Sequence, residues 1–158
     1  GYTEAAIFAS RHSYFATSQR VQAFISSCER LGIETDEKYI LKGSSTRNGG
    51  YEIGKQYAAL KEPPKMIFCD SDAIALGALR AFHEEGISVP GDAELLSIGM
   101  LDPEAASYYV PSLSVVEMPN KEIGQQVLRL MRKKVLNNDM SSEHVKVHAK
   151  LMLRESFS

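Results

Sequence analysis

The sequence feature that most constrains the fold is a regular alternation of short apolar runs with longer amphipathic segments. Apolar runs at 4–10, 65–69 and 94–98 have the length and composition of buried strands. In the segment 17–31, apolar residues recur at three- and four-residue spacings and Gly32 follows, which is typical of a helix and its end. Strand–helix–strand order with short connections predicts an α/β fold, in which a parallel β-sheet is flanked by helices on both faces.

The remaining segments extend this pattern along the whole chain. Strict alternation in the tail predicts a half-buried strand over 145–153. The full set of expected strands is 4–10, 38–42, 65–69, 94–98, 113–117 and 145–153. The expected helices are 17–31, 50–60, a third from Asp70 or Ser71 to Gly86, and 120–136, with a short helical turn at 102–109.

Charge and composition exclude several classes of protein. The 158 residues hold 18 Lys and Arg against 20 Asp and Glu, so a nucleic-acid-binding surface within this chain is not expected. No apolar stretch is long enough to cross a bilayer and no signal segment opens the chain, so we expect no membrane contact. Cys28 and Cys69 are too few for a disulfide framework, which favours a reducing compartment. The chain opens at Gly1, and we expect a fragment or a processed product.

A ligand site is expected where the parallel strands end. In open α/β sheets, ligands bind beyond the carboxyl ends of the strands. The loops there, 10–18, 43–48, 70–72 and 99–102, hold hydroxyls, carboxylates and arginines, which suit a neutral polyhydroxylated ligand. Ser71 fits a helix cap and a ligand contact equally well. On spacing alone, Arg20 is expected to be a solvated helix residue.

Enzyme motifs are weak or absent in the sequence. The pair Asp70 and Asp72 is similar to the aspartates of phosphoryl-transfer hydrolases, but it follows the third strand rather than the first. There is no P-loop, no G-x-S-x-G elbow and no G-x-G-x-x-G, and the histidines lack the spacing of zinc ligands. We therefore expect no catalytic residue, no metal site and no cofactor.

Four ordered blocks of sequence identify a family. The segment 66–86, MIFCDSDAIALGALRAFHEEG, and the following ELLSIG at 94–99 closely resemble the effector-binding domain of the LacI/GalR family of bacterial transcription regulators. The crossover YVPSLSVV at 109–116, the closing LRES at 153–156 and the stretch 20–24 also match that family. The resemblance covers nearly the whole chain.

The resemblance implies a fold of two α/β lobes that enclose an effector, preceded by a DNA-binding helix-turn-helix. Aligned in this way, 1–117 and 143–158 form the C-terminal lobe, of the type I periplasmic-binding-protein-like kind. The segment 118–142 contributes one helix to the N-terminal lobe, which is otherwise missing, and the helix-turn-helix is absent from this chain. We expect the apolar face of helix 120–136 to lack its usual partner.

The resemblance also implies site residues. Arg20 matches a family arginine that contacts effector hydroxyls or carboxylates, and Leu101 stands where sugar-binding members carry a chelating aspartate. The expected effector-binding residues are Tyr14, Arg20, Ser45, Ser71, Asp72 and Asp102. The family forms homodimers through a surface that matches Leu76, Tyr108 and Tyr109, although Leu76 fits a core position equally well.

The expected function is effector sensing and dimerisation in a cytoplasmic LacI/GalR-like regulator that represses sugar-utilisation genes. Its partners would be a sugar or sugar derivative, a second copy of the chain, and operator DNA through the missing helix-turn-helix. A sugar-binding receptor of a transport system, with the same fold, is the alternative. The LRES ending and the crossover with Pro111 favour the regulator.

Overall fold

A parallel β-sheet forms the centre of the molecule. The computed structural model describes residues 1–12, 15–99, 104–137 and 141–157. Within these ranges the sheet has six strands in the order β2-β1-β3-β4-β5-β6. The strands are β1 (Ala5–Ser10), β2 (Ile40–Gly43), β3 (Met66–Cys69), β4 (Glu94–Gly99), β5 (Ser114–Glu117) and β6 (Lys150–Met152). All neighbouring pairs are parallel except β5 and β6, which are antiparallel.

Helices cover both faces of the sheet, as the sequence pattern predicted. The helices are α1 (Phe15–Leu31), α2 (Arg47–Ala58), α3 (Asp72–Glu85) and α4 (Asn120–Asn137). Helix α1 packs on one face, and α2 and α3 pack together on the other. Short 3-10 turns lie at Glu37–Tyr39 and Ala105–Ser107. The α/β prediction is therefore confirmed.

Alternate residues of the buried strands build a separate core on each face, because successive side chains of a strand point to opposite sides. On the α2–α3 face, the ring of Phe8 meets those of Tyr57 and Phe82 at centroid distances of 5.5 and 6.2 Å. On the α1 face, Phe24 stacks on Phe68 with centroids 4.5 Å apart. The sheet is thus anchored between two aromatic clusters.

Helix ends follow the capping chemistry of the sequence. The Ser71 hydroxyl accepts a hydrogen bond from the Ile74 N–H at 3.4 Å, so α3 begins at Asp72. Gly86 ends α3 in the left-handed conformation, with φ of 72°, as predicted. Helix α2 begins three residues earlier than expected, because Thr46 caps the Gly49 N–H at 3.1 Å.

Helices α2 and α3 approach unusually closely. A Cβ atom added at Gly77 would lie 1.9 Å from the Arg47 carbonyl oxygen and 2.5 Å from the Tyr51 nitrogen. A Cβ at Gly50 would lie 2.1 Å from the Ile74 carbonyl oxygen. Only glycine fits at these two positions, so the helix pair that carries Ser71 at one end is packed backbone to backbone.

Residues 154–157 close the amino edge of the sheet next to β4 and β5. The buried Ser156 hydroxyl donates to the Leu95 carbonyl at 2.7 Å and accepts from the Ser114 N–H at 2.8 Å. The Glu155 carboxylate accepts from the Ser112 N–H at 2.8 Å and from its hydroxyl at 2.9 Å. These bonds lower the pKa of Glu155.

The prediction of a half-buried strand over 145–153 is wrong in its length and in its burial. Only Lys150–Met152 pairs with β5, and all three residues are exposed. The physical reason is that β5 offers only four residues for pairing before the chain leaves the sheet toward α4. The alternating side chains of Val145, Leu151 and Leu153 are 37, 57 and 59 % exposed.

Helix α4 exposes its apolar side. None of its described side chains, at 120–136, is buried. The large apolar residues exposed on it are Val127, Leu128, Met131, Val135 and Leu136. In the second half of α4, Arg129 and Lys133 both bind the Glu143 carboxylate, which connects α4 to the chain that returns toward β6.

Candidate functional site

The order of the strands determines where a crevice opens at the edge of the sheet. The chain leaves β1 toward β2 on one side, and it then crosses to β3 on the other side of β1. Loops on either side of such a point diverge, which leaves a crevice at the carboxyl ends of β1 and β3. Strand β1 ends at Ser10 and β3 ends at Cys69, and Asp70 is the first residue after β3.

Asp70 joins the two strands at this crevice. Its Oδ2 atom accepts a hydrogen bond from the Ser10 N–H at 2.8 Å, and its own N–H donates to the Phe8 carbonyl at 3.0 Å. Asp70 is only 2 % exposed. Asp70 is therefore a buried residue whose hydrogen bonds link the ends of β1 and β3.

Arg20 reaches the same point from α1. Its Nη1 atom donates to the Asp70 backbone carbonyl at 3.3 Å, and the side chain is half-buried. The expectation from spacing alone, a solvated helix residue, is therefore wrong. The two residues are 50 positions apart in the sequence, so helical spacing could not show the contact.

Two opposing effects act on the pKa of the Asp70 carboxyl. Burial raises the pKa of the Asp70 carboxyl above its usual value. The Ser10 N–H, the positive charge of Arg20 and the Ser71 side chain partly offset that effect, since each stabilises the charged form. A buried carboxylate and an arginine thus lie side by side at the crevice.

Two further expected site residues lie at the start of α3. Ser71 is half-buried and caps the helix, and Asp72 is 7 % exposed in the first turn. Both follow Asp70 directly, so the structure brings Arg20, Ser71 and Asp72 to one place. The Ser71 hydroxyl bonds to the Asp70 carboxylate and accepts at the cap, and its second lone pair can still accept a hydrogen bond from a ligand.

Ser45 lies apart from this cluster, in the loop after β2. It is exposed, and its neighbours Ser44 and Thr46 bond to each other at 2.7 Å. The Arg11 N–H donates to the Gly43 carbonyl at 2.6 Å, which holds this loop beside the end of β1. Tyr14 and Asp102, also expected in the site, lie outside the described residues, as does Leu101.

A cavity of about 300 Å³ borders the crevice between α1 and the strands β1 and β2. Its lining residues are Ala9, Ser10, Arg11, Thr17, Ser18, Val21, Gln22, Ile25, Ile40 and Lys42. The buried Ser10 hydroxyl has no hydrogen-bond partner among the described residues. The sequence placed Ser10 and Asp70 in candidate ligand loops but not among the named effector-binding residues, and their hydrogen bond across 60 positions could not be predicted from either loop alone.

A larger cavity, of about 520 Å³, lies at the opposite edge of the sheet. It is lined by Tyr2 and Lys65, and both contact the buried carboxylate of Glu94, Lys65 at 3.0 Å. Burial and Glu94 raise the pKa of Tyr2 to about 12. This amino edge lies away from the crevice, and its polar groups already bond to one another.

The expected dimer residues differ in exposure. Tyr108 is 77 % exposed, whereas Tyr109 is half-buried and packs against the core on the α2–α3 face. Leu76 is half-buried on α3.

The described ranges contain no group of three or more His, Cys, Asp or Glu side chains able to hold a metal ion. No helix within these ranges is both long and apolar enough to span a membrane.

Comparison with known proteins identifies the family. Residues 1–157 match the model of the periplasmic binding protein-like domain. The chain belongs to that family. It is 30 % identical over 138 residues to the HTH-type transcriptional repressor PurR of Mannheimia succiniciproducens, covering 87 % of this chain and 41 % of the repressor. It is 32 % identical over 133 residues to the HTH-type transcriptional repressor CytR of Escherichia coli K12, covering 84 % of this chain and 37 % of the repressor.

A solved structure extends this similarity to the fold. The LacI family transcription regulator from Clostridium acetobutylicum superposes with a TM-score of 0.91 at 30 % identity, covering 97 % of this chain and 57 % of that one. The LacI/GalR resemblance found in the sequence motifs is confirmed, and these relatives are regulators rather than enzymes. The chain spans about two fifths of the length of the two curated repressors.

Proposed function

We propose that this chain is the effector-sensing and dimerisation part of a cytoplasmic LacI/GalR-like regulator, which represses sugar-utilisation genes and has no catalytic role. The observation that supports this most is the cluster of Arg20, Asp70 and Ser71 at the crevice between β1 and β3. A crevice at this point in a parallel sheet is where α/β proteins bind small molecules.

The proposed effector is a sugar or a sugar derivative. Arg20 offers several N–H donors, Ser71 and Ser45 offer hydroxyls, and Asp72 offers a carboxylate, so the site can bond to adjacent hydroxyl groups from both the donor and the acceptor side. Tyr14 and Asp102 complete the proposed set from their positions in the sequence. No cofactor or metal ion takes part in this proposal.

The proposed site lies between two lobes. Residues 1–117 and 143–158 form one lobe, and 118–142 belong to the other. The exposed apolar side of α4 supports this division, because apolar residues such as Leu128 and Met131 are 61 and 58 % exposed here. Effector binding would favour one relative position of the lobes and so shift the affinity for operator DNA, which a helix-turn-helix outside this chain would bind.

The proposed homodimer forms through α3 and the crossover before β5. Tyr108 supports it, since the residue is 77 % exposed and aromatic residues are enriched at interfaces. Leu76 and Tyr109 lie half-buried on the two segments that would meet the second copy.

The test compares two arginine variants in a panel of neutral sugars and sugar phosphates. One sugar should raise the melting temperature of the full-length protein and alter its salt-dependent binding to operator DNA. The variant R20Q should abolish that rise, whereas R80Q should retain it, because Arg80 is exposed and bonds to Glu84 on the same helix. Equal responses of R20Q and the wild type would contradict the site. Sugar binding without any DNA affinity would favour the transport receptor instead.

A further inference from the structure

We propose that Asp70 is a positioning residue that sets the charge selectivity of the effector site, so that the site accepts a neutral polyhydroxylated effector and rejects phosphorylated or carboxylated ones. This inference rests on the proposed function and adds the class of ligand. Asp70 itself is too deeply buried to touch the effector, so its influence passes through Arg20 and Ser71.

The first step of the argument is geometric. Asp70 receives the Ser10 N–H on one carboxylate oxygen, presents its backbone carbonyl to Arg20 at 3.3 Å, and interacts with the Ser71 side chain. One residue therefore fixes the end of β1, the head group of Arg20 and the cap of α3. The positions of the two effector-binding residues depend on it.

The second step is electrostatic. An arginine at a ligand site attracts carboxylates and phosphates, because its planar N–H groups match their oxygens. Here the carboxylate of Asp70 interacts with the Arg20 charge, and Asp72 adds a second buried acid two residues further along the chain. An incoming anion would therefore meet Arg20 together with two acids at short range.

The other cations near the crevice do not reverse this balance. Arg11 and Lys42 line the neighbouring cavity, but both are exposed to solvent. Charges on exposed side chains are screened by water and salt far more than buried ones. The buried groups should therefore decide which ligand charge is tolerated.

The test removes the charge of Asp70 and uses inorganic phosphate as the probe. D70N keeps an oxygen that can accept the Ser10 N–H, but it removes the negative charge that interacts with Arg20. Phosphate binding is followed in the full chain by chemical-shift changes of the amide groups at 70–74. We expect D70N to bind phosphate at least about ten-fold more tightly than the wild type. The double variant R20Q/D70N should lose this gain.

A matched control is available at the opposite edge of the sheet. Asp92 is exposed, and its carboxylate also accepts a backbone N–H, that of Ser88 at 2.9 Å. D92N removes the same charge and should leave phosphate binding at the level of the wild type. If D92N gained as much as D70N, net charge alone would explain the result and the proposal would be wrong.

The remaining outcomes are also decisive. Wild-type protein that binds phosphate at 70–74 as tightly as D70N does, or a D70N variant without any gain, would overturn the selectivity role. If both D70N and D70S failed to fold, Asp70 would be a stability residue and the proposal would be refuted. The probe needs neither the natural effector nor DNA. Failure of every sugar to bind would thus count against the proposed function, whereas the comparison of phosphate binding between D70N and the wild type could still be interpreted.

Discussion

A single methyl group placed at Gly77 should separate α2 from α3. The added Cβ would lie 1.9 Å from the Arg47 carbonyl oxygen, whereas ordinary contact begins at 3.4 Å. The helices would have to part by about 1.5 Å, and a close-packed interface absorbs such a shift poorly. Overpacking costs typically about 1–3 kcal/mol and occasionally more. We expect the upper part of that range for G77A, since the clashing atoms are backbone and cannot rotate away.

Helix propensity acts in the opposite direction and has to be separated from the clash. Alanine is favoured over glycine by roughly 0.8–1.0 kcal/mol inside a helix, so the expected net loss for G77A is about 2 kcal/mol. Gly124 on α4 is the matched control, because a Cβ there meets nothing within 4 Å. G124A should therefore be neutral or more stable than the wild type by up to about 1 kcal/mol.

The assay is urea unfolding followed by circular dichroism, with the melting temperature as a second measurement. For a domain of this size, a loss of about 2 kcal/mol corresponds to a fall of roughly 4–8 °C in the melting temperature. A G77A protein as stable as G124A would refute the backbone-to-backbone packing of α2 on α3. It would also remove the reason for expecting a rigid support under Ser71.

Three further perturbations test other parts of the structure. S156A should cost about 1–3 kcal/mol in urea unfolding, because it leaves the Leu95 carbonyl and the Ser114 N–H without their buried partner; an unchanged midpoint would contradict this. Burial raises the pKa of Asp70 above its value in the unfolded chain, so between these two pKa values the folded protein holds a proton that the unfolded chain has lost. The free energy of unfolding should therefore fall as the pH rises from about 4 through the folded pKa, and the urea midpoint of D70N should lack that part of the slope. Y108A should shift the proposed dimer toward monomer in analytical ultracentrifugation with no loss of melting temperature in the monomer, since Tyr108 is mostly exposed; a dimer of unchanged affinity would remove Tyr108 from the interface.

The sequence predicted the elements of the fold well because their signals are local. Apolar runs, helical spacings and caps act within one turn or one strand, as Ser71 and Gly86 show at the two ends of α3. The prediction of a strand over 145–153 failed because strand formation also depends on a neighbouring strand. The alternation is present in the sequence, but β5 ends after four residues.

The site was harder to predict than the fold. The resemblance to the LacI/GalR family pointed to Arg20, while spacing alone favoured a solvated side chain. Asp70 was placed in a candidate ligand loop at the start of a helix, and a phosphoryl-transfer role was disfavoured because the residue follows the third strand. Its contact with the Ser10 N–H depends on β1 and β3 lying side by side. That adjacency is a property of the topology, which no pattern within a single segment contains.

The bonds made by Ser156 have a consequence for protein synthesis. The Leu95 carbonyl and the Ser114 N–H precede their partner by 61 and 42 residues. When β4 and β5 have left the ribosome, the Leu95 carbonyl and the Ser114 N–H at the amino edge of the sheet still lack their hydrogen-bond partner. That partner is present only when residue 156 has emerged. Contacts that close over such distances slow folding and leave strand edges open to wrong partners. Nascent chains of this protein should therefore be most open to wrong strand partners until residue 156 has emerged from the ribosome.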